Sequence, residues 1–475
     1  MERLKLAGKL PAFAAKDIPF SRVGIGFEKL DRDVFDPNKA YDKVARIGVK
    51  KIRIQSGWAR TEKQEGVYDF AWLDEIVDNL LSRGLEPWIC LCYGNPVYTD
   101  LAKPVFGAVG CPPISTEREM SAWLSYVKAT VTHYKGRVNL FEIWNEPDCN
   151  YSWRHCENEE IDHLRNATEY GEFACRTAIA IKEANEEALA MGFALGHVAD
   201  LEYVNRALAT GLYRHLDLVS FHSYTPDEQK RRHNAHQLKL LINRYNPKTG
   251  LVQGETGAQS RSDGNGAMKG FAWTPEKQTK ALLRGLVGDL AEGVVFTSYF
   301  STMDMIEALK GRLADKATYL DYGYFGVIGA EFDENGRSSG VYKEKPSYYA
   351  LQALASLFQG NFEPCAIPYR REELPSRRVN GTDCADKTVQ IEGFRLHDGT
   401  EALVYWNAVD LLTATYEGTL SLQVYGQKSD NIRLLDPRDG SLYTLPEAML
   451  EDLGCGGIRL KNIPLTDCPL VILFQ

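Results

Sequence analysis

Between residues 20 and 355, short apolar runs alternate with stretches of helical periodicity, and this alternation limits the fold more than any other feature of the chain. The runs are RVGIGF (22–27), KKIRIQ (50–55), EPWICLCY (86–93), VNLFEIW (138–144), AMGFALG (190–196), LDLVSFHSY (216–224), GLVQGE (250–255) and GVVFTSYF (293–300). Strands separated by helices of this length are joined by crossovers and therefore run parallel. A count of eight, with no GxGxxG after the first run, favours a closed (β/α)8 TIM barrel, an α/β fold, over an open doubly wound sheet. Within FAWLDEIVDNLLSRG (70–84), Leu73, Ile76, Val77, Leu80 and Leu81 recur at helical spacing, and Gly84 suits the helix C-terminus.

After KEKPSYYALQALASLF (343–358), which reads as the last barrel helix, the texture changes. KTVQIEGFRL (387–396), EALVYWNA (401–408), GTLSLQVYG (418–426) and CPLVILFQ (468–475) alternate apolar and polar residues between Gly, Asp and Asn turns, as strands of a C-terminal β-sandwich would. The expected layout is a segment 1–18 packed on the sandwich, a catalytic barrel over 19–358 and the sandwich over 359–475.

A length of 475 residues and 44% hydrophobic composition are enough for a large core beside a smaller one. The formal charge of -9, with both signs interspersed, argues against a nucleic-acid or anionic-membrane partner. The N-terminal stretch MERLKLAGKLPAFAAKDIPF mixes charge into its apolar residues and no window reaches membrane-spanning length, so a cytoplasmic location is expected. Ten Cys occur without a CxxC pair or zinc-finger spacing and read mostly as buried thiols. Cys149 and Cys156, with His155, form the one cluster open to a disulfide or a metal; neither is expected, nor is any metal or cofactor for the protein.

In a barrel of this kind the site forms at the C-terminal ends of the strands, so polar residues that end the apolar runs are the candidates. Glu146 ends the fourth run and Glu255 the seventh. Two carboxyl groups facing one cleft suit glycosidic bond cleavage: one, protonated, gives its proton to the leaving oxygen, while the other attacks the anomeric carbon or activates water. Arg53, at the end of the second run, with His222 and Tyr224 on one face of the sixth, is expected to hold Glu255 as a carboxylate and leave Glu146 as acid/base. Trp58, Tyr93, Trp153 and Phe300 are candidate stacking platforms for a sugar ring, each equally readable as a barrel cap.

WNEP (144–147) together with GETG (254–257) resembles the clan A retaining glycoside hydrolases. WNEPDCNYSW, the segment 68–96, TSYFSTMD (297–304, ending on Asp304) and KPSYYAL (345–351) are most similar to family 39, the β-xylosidases and α-L-iduronidases, in order over residues 22–358. The resemblance implies that Glu146 is acid/base, Glu255 is nucleophile and Asn145 binds the sugar 2-hydroxyl. It departs at Gln55, where the xylosidases tend to carry a His, and at Phe300, where they carry a Trp; GETG itself is more like family 5. The expected activity is that of an exo-acting retaining β-glycosidase on oligosaccharides or small glycosides. A catalytically silent carbohydrate-binding barrel and a transglycosylase using the same residues are the alternatives; the sugar and the oligomeric state stay open.

Overall fold

The structure, a computed structural model, describes residues 4–154, 162–309, 311–372, 378–379, 382–383, 389–412, 415–427, 431–454 and 456–475. Cys156 and His155 of the cluster singled out above lie outside the described residues, as do Cys384 and Cys455.

Each of the eight apolar runs forms a strand: β1 (Val23–Gly26), β2 (Lys51–Gln55), β3 (Glu86–Leu91), β4 (Leu140–Ile143), β5 (Leu189–Leu195), β6 (Leu218–His222), β7 (Gly250–Thr256) and β8 (Thr297–Tyr299). They close into a barrel in chain order, with β8 pairing back onto β1 in parallel. The crossover helices are α1 (Tyr41–Ile47), α2 (Ala71–Leu81), α3 (Glu117–His133), α4 (His163–Ala184), α5 (Leu201–Ala209), α6 (Glu228–Tyr245), α7 (Pro275–Ala291) and α8 (Pro346–Leu357). The periodicity of α2 is used as expected: Leu73, Ile76, Val77 and Leu80 are buried, and the chain leaves the helix through Gly84 at φ 75°.

The register shifts between β5 and β6, between β6 and β7 and between β7 and β8, each towards the C-terminal end of the strands. Such bulges re-aim side chains and are frequent beside active sites. One of them, between Phe221 and His222, sets His222 level with Glu255.

The β-sandwich also forms. One sheet orders Lys5–Lys9, Ser441–Thr444, Ile432–Asp436, Leu470–Phe474, Glu401–Asn407, Val389–Arg395 and Glu363–Pro364; the facing sheet orders Tyr369–Arg371, Glu417–Tyr425, Gly457–Thr466 and Leu450–Gly454. Strand alternation places Leu420, Leu422 and Val424 of one sheet in a core with Leu403, Tyr405, Leu434 and Ile472 of the other. The N-terminal strand Lys5–Lys9 pairs antiparallel with Ser441–Thr444 and so joins the two ends of the chain.

A hairpin of Ile328–Phe332 and Ser338–Glu344 stands between β8 and α8 and was not foreseen. Both strands are largely solvent-facing, so they lack the apolar face that makes a strand visible in a sequence. No helix among the described residues is long and apolar enough to cross a membrane.

The sandwich is fastened to the barrel by α7. Arg284, buried, donates to the carbonyls of Asp467 (2.7 Å), Val409 (2.9 Å) and Asn407 (3.0 Å). Truncation to Ala leaves these carbonyls without their donor and opens a cavity; we expect Arg284→Ala to lose on the order of 3 kcal/mol in chemical denaturation. A loss within about 0.5 kcal/mol, the range of ordinary surface substitutions, would show that this contact does not hold the two parts together.

Candidate active site

Arg53 stands at the centre of the barrel mouth, with no exposed surface. Its Nε donates to Glu142 Oε2 (2.7 Å), one Nη to Glu255 Oε2 (2.6 Å) and the other to Asn145 Oδ1 (2.8 Å). Glu28 Oε1 lies 3.5 Å from the same guanidinium. One planar cation on β2 therefore fixes groups from β4 and β7, which its fork of donors in fixed directions permits and a Lys would not.

The backbone after β4 explains how Asn145 reaches Arg53. Glu142 points inward, and strict alternation would send Trp144 inward as well. Trp144 instead adopts a left-handed conformation, φ 68°, so that its indole packs on Trp123 and Phe173 of the surrounding helices. Asn145 then faces the barrel interior. Glu146 is also left-handed, φ 50°, with its N–H on the carbonyl of Ala194. Two such residues cost roughly 1–3 kcal/mol each, a strain that is retained where function needs it. Close packing at the end of β5 requires Gly196: a Cβ there would meet Cys149 Sγ at 2.4 Å and Glu146 Cδ at 3.4 Å.

The two glutamates meet across the mouth. Carboxyl oxygens of Glu146 and Glu255 and a ring nitrogen of His222 all lie within 4.8 Å of one another. Tyr224 Oη donates to Glu255 Oε1 (2.5 Å), as expected from the sequence, and Arg53 holds the other oxygen. His222 differs from expectation. Its Nδ1 is 2.8 Å from Glu146 Oε1 and 3.7 Å from Glu255 Oε2, so it bonds to the acid/base candidate and only faces the other carboxyl. The bulge, which inserts Gly254 on β7, brings His222 level with Glu255 along the strands, while the nearer partner of its ring is Glu146 after β4.

This asymmetry divides the carboxyl pKa values. Burial raises Glu146 above the ordinary carboxylic range, and neighbouring Glu255 adds to the rise despite the bond from His222. Burial also pushes Glu255 upward, but the charges of His222 and Arg53, the Tyr224 hydroxyl and Lys29 outweigh it and hold Glu255 below its usual value. One carboxyl is suited to carry a proton and the other to stay ionised.

The cleft around them encloses about 440 Å³. Of the residues expected in it, Gln55, Tyr93, Asn145, Tyr224 and Phe300 line it with the two glutamates. Gln55 is held through its carbonyl by Arg32 and the Lys29 N–H, and its amide points to Tyr93 Oη at 3.4 Å. Trp58 and Trp153 are corrected: neither reaches the cleft. Trp58 stacks between Tyr98 and Tyr126, and Trp153 packs edge-on to Trp144, Tyr170 and Phe173, so both belong to the helical layer. Asp304 supports the loop after β8 instead of lining the cleft, paired with Lys345 at 2.6 Å and accepting from the Gly326 N–H.

Glu28, Lys29, Arg32, Cys149, His197 and Glu307 also line the cleft and were missed. Glu28 follows the first apolar run as Glu146 follows the fourth, so the same rule applied to β1 would have found it. Lys29 and Glu307 pair at 3.3 Å across a separation of 278 residues, for which a single sequence carries no signal. Asp148, Cys149 and His197 bring metal-type donors within 4.8 Å of one another, but both Asp148 oxygens already accept from the N–H groups of Gly196 and His197.

Residues 30–242 match the model of glycosyl hydrolases family 39. The family 39 likeness expected from WNEP and its neighbouring segments is thereby borne out. A β-xylosidase of Geobacillus stearothermophilus is 26% identical over 167 residues, 33% of this chain and 31% of that protein. The match thus spans about a third of that curated relative. Over the whole fold the chain is similar to a family 39 glycoside hydrolase from Bacteroides cellulosilyticus WH2 (TM-score 0.64, 16% identity, covering 98% of this chain and 83% of that one). It is similar too to a family 39 β-xylosidase from Caulobacter crescentus (TM-score 0.56, 18% identity, 99% of both chains). At such identities these structures support the barrel-plus-sandwich fold.

The divided pair yields a direct expectation. In a carboxyl-resolved NMR titration, Glu146 should take up its proton at a higher pH than Glu255, and Arg53→Met should raise Glu255 by removing the adjacent cation. A Glu255 that titrates above Glu146 in the unmodified protein would contradict the division.

Proposed function

We propose that the protein is a retaining glycoside hydrolase, an exo-acting β-glycosidase of the xylosidase-like or a related pyranosidase type, that works by double displacement. The observation that carries the reading is the proximity of Glu146 and Glu255, one carboxyl oxygen of each lying within 4.8 Å of the other, which favours the shorter of two spacings. Retaining enzymes hold their two carboxyl groups roughly 5–5.5 Å apart, whereas inverting ones leave about 6.5–9.5 Å for a water.

In the first step Glu255, ionised, attacks the anomeric carbon while Glu146 gives its proton to the leaving oxygen, so the glycosidic C–O bond breaks as the ester C–O bond forms. Arg53 and Tyr224 keep both oxygens of Glu255 in place. Once Glu255 is esterified its charge is gone, and with it one of the causes that raise Glu146. Glu146 then becomes more acidic and suits its second task, taking a proton from the water that cleaves the ester. Asn145 commits its carbonyl oxygen to Arg53, which turns its amide N–H groups to the sugar; this supports the 2-hydroxyl contact. Phe300 and Tyr93 line the same cleft, with Lys29 and Arg32 over their rings. Exo action is carried over from the family 39 resemblance; the buried pair Lys29 and Glu307 lines the cleft beside Phe300. The β-xylosidase named among the relatives supports the choice of sugar class.

Azide rescue tests the roles. Glu255→Ala should abolish turnover of aryl glycosides, with azide restoring it as a glycosyl azide of inverted anomeric configuration. Glu146→Ala should lose about 10²–10⁴-fold on poor leaving groups, little on good ones, and give a retained azide. Exchanged outcomes would exchange the roles, and hydrolysis with inversion would overturn the mechanism. Because Arg53 favours the ionised form of Glu255, the acidic limb of kcat/KM should move to higher pH in folded Arg53→Met; an unmoved limb at near-normal activity would remove Arg53 from this account.

A further inference from the structure

We propose that Glu28 is a specificity-determining residue of this cleft, a carboxyl that holds a ring hydroxyl of the sugar at the end remote from the bond being cleaved; the proposal rests on the glycosidase reading. Glu28 follows β1 and lines the cleft, yet it is only 1% exposed. Neither of its carboxyl oxygens has a hydrogen-bond partner in the described protein, and Arg53, 3.5 Å from Oε1, is its nearest cation.

A charge-balancing role does not account for it. Arg53 already bonds to Glu142 and Glu255 at 2.7 and 2.6 Å, so another carboxylate at this cation adds repulsion. Nor does packing, because an apolar side chain would fill the same floor without an unmet polar group. The backbone is adapted to the position: a Cβ on Gly26 would lie 2.0 Å from Glu28 Oε2, so the absence of a side chain there leaves room for the carboxyl.

Barrel order decides which part of a sugar it meets. Closure in chain order puts β1 beside β8 and across the mouth from β4 and β5. With C1 at Glu255 and the 2-hydroxyl at Asn145, the wall formed by β1 and β8 receives C3 and C4. Burial pushes Glu28 up to about 8 and so favours its protonated form, which offers one donor and one acceptor, the complement of a hydroxyl. A sugar lacking that hydroxyl leaves a buried polar group unpaired, the situation in which binding sites discriminate most strongly.

The test compares the best aryl glycoside with its 3-deoxy and 4-deoxy forms in the unmodified protein, Glu28→Gln and Glu28→Met. The unmodified protein should lose at least about 10²-fold in kcat/KM on one deoxy form. Glu28→Met should lose a similar factor on the parent glycoside and almost nothing more on that deoxy form, while Glu28→Gln, which keeps a neutral donor and acceptor, should retain a tenth or more of the parent activity. An equal loss on all three substrates would place the effect on Arg53 and Glu255 and overturn the proposal, as would an unchanged parent activity in folded Glu28→Met. If the Met variant does not fold, the ratio of parent to deoxy activity in Glu28→Gln decides: a change at one ring position supports the contact and an unchanged ratio overturns it. A protein inert towards every glycoside would overturn the glycosidase reading instead. Glu28 would then be judged by calorimetric titration with free monosaccharides and their 3- and 4-deoxy forms, where the same position-specific difference is expected and its absence overturns the contact.

Discussion

A guanidinium buried at the mouth of the barrel organises everything around it. Arg53 has no exposed surface, so the cost of removing its charge from water must be met by acceptors at good geometry, and Glu142, Glu255 and Asn145 supply them at 2.6–2.8 Å. These partners come from β4 and β7, and their geometry is thus locked to β2. Removing any one would leave charge or hydrogen-bonding capacity unmet in a dry interior, which makes the arrangement rigid. Rigidity of this kind is what a pair of reacting carboxyl groups requires, because an error of 1 Å in their placement costs heavily in rate.

The same cation also sorts the carboxyl groups chemically. Burial acts upward on both Glu146 and Glu255, so burial alone would not divide them. The charges of His222 and Arg53 and the Tyr224 hydroxyl hold Glu255 down, and because Arg53 and Tyr224 bond to Glu255 and not to Glu146, one carboxyl is favoured to ionise beside the other. His222 sits between them, bonded to Glu146 and within reach of Glu255, so its proton communicates with both. Its pKa is lowered by burial but raised by the Glu255 and Glu146 charges, and the rise prevails. The pair is a coupled unit in which a change of charge on one member retunes the other.

Much of this was legible in the sequence because barrel strands buried on both faces read as apolar runs and the site lies where those runs end. That logic singled out Arg53, Glu146, Tyr224 and Glu255 and placed all eight strands, while Asn145 came from the family resemblance. It failed in three physically distinct ways. Strict alternation cannot foresee a left-handed residue such as Glu146, so its contact with His222 was hidden. An aromatic ring close to a strand end is the same letter whether it faces a ligand or the helical layer, and Trp58 and Trp153 proved to face the helices. Contacts such as Lys29 with Glu307, made by the closing of β8 against β1, join residues with no local relation.

The central claim is that Glu255, kept ionised by Arg53 and Tyr224, is the group that bonds to the sugar. Incubation with a set of activated 2-deoxy-2-fluoro glycosides, which slow breakdown of a glycosyl-enzyme more than its formation, followed by mass spectrometry of the intact and digested protein, addresses it directly. The account predicts an increase of one fluoroglycosyl unit per chain, located on Glu255 in the peptide that contains GLVQGET. A label on Glu146, or turnover of these compounds with inversion and no labelled protein, would contradict it.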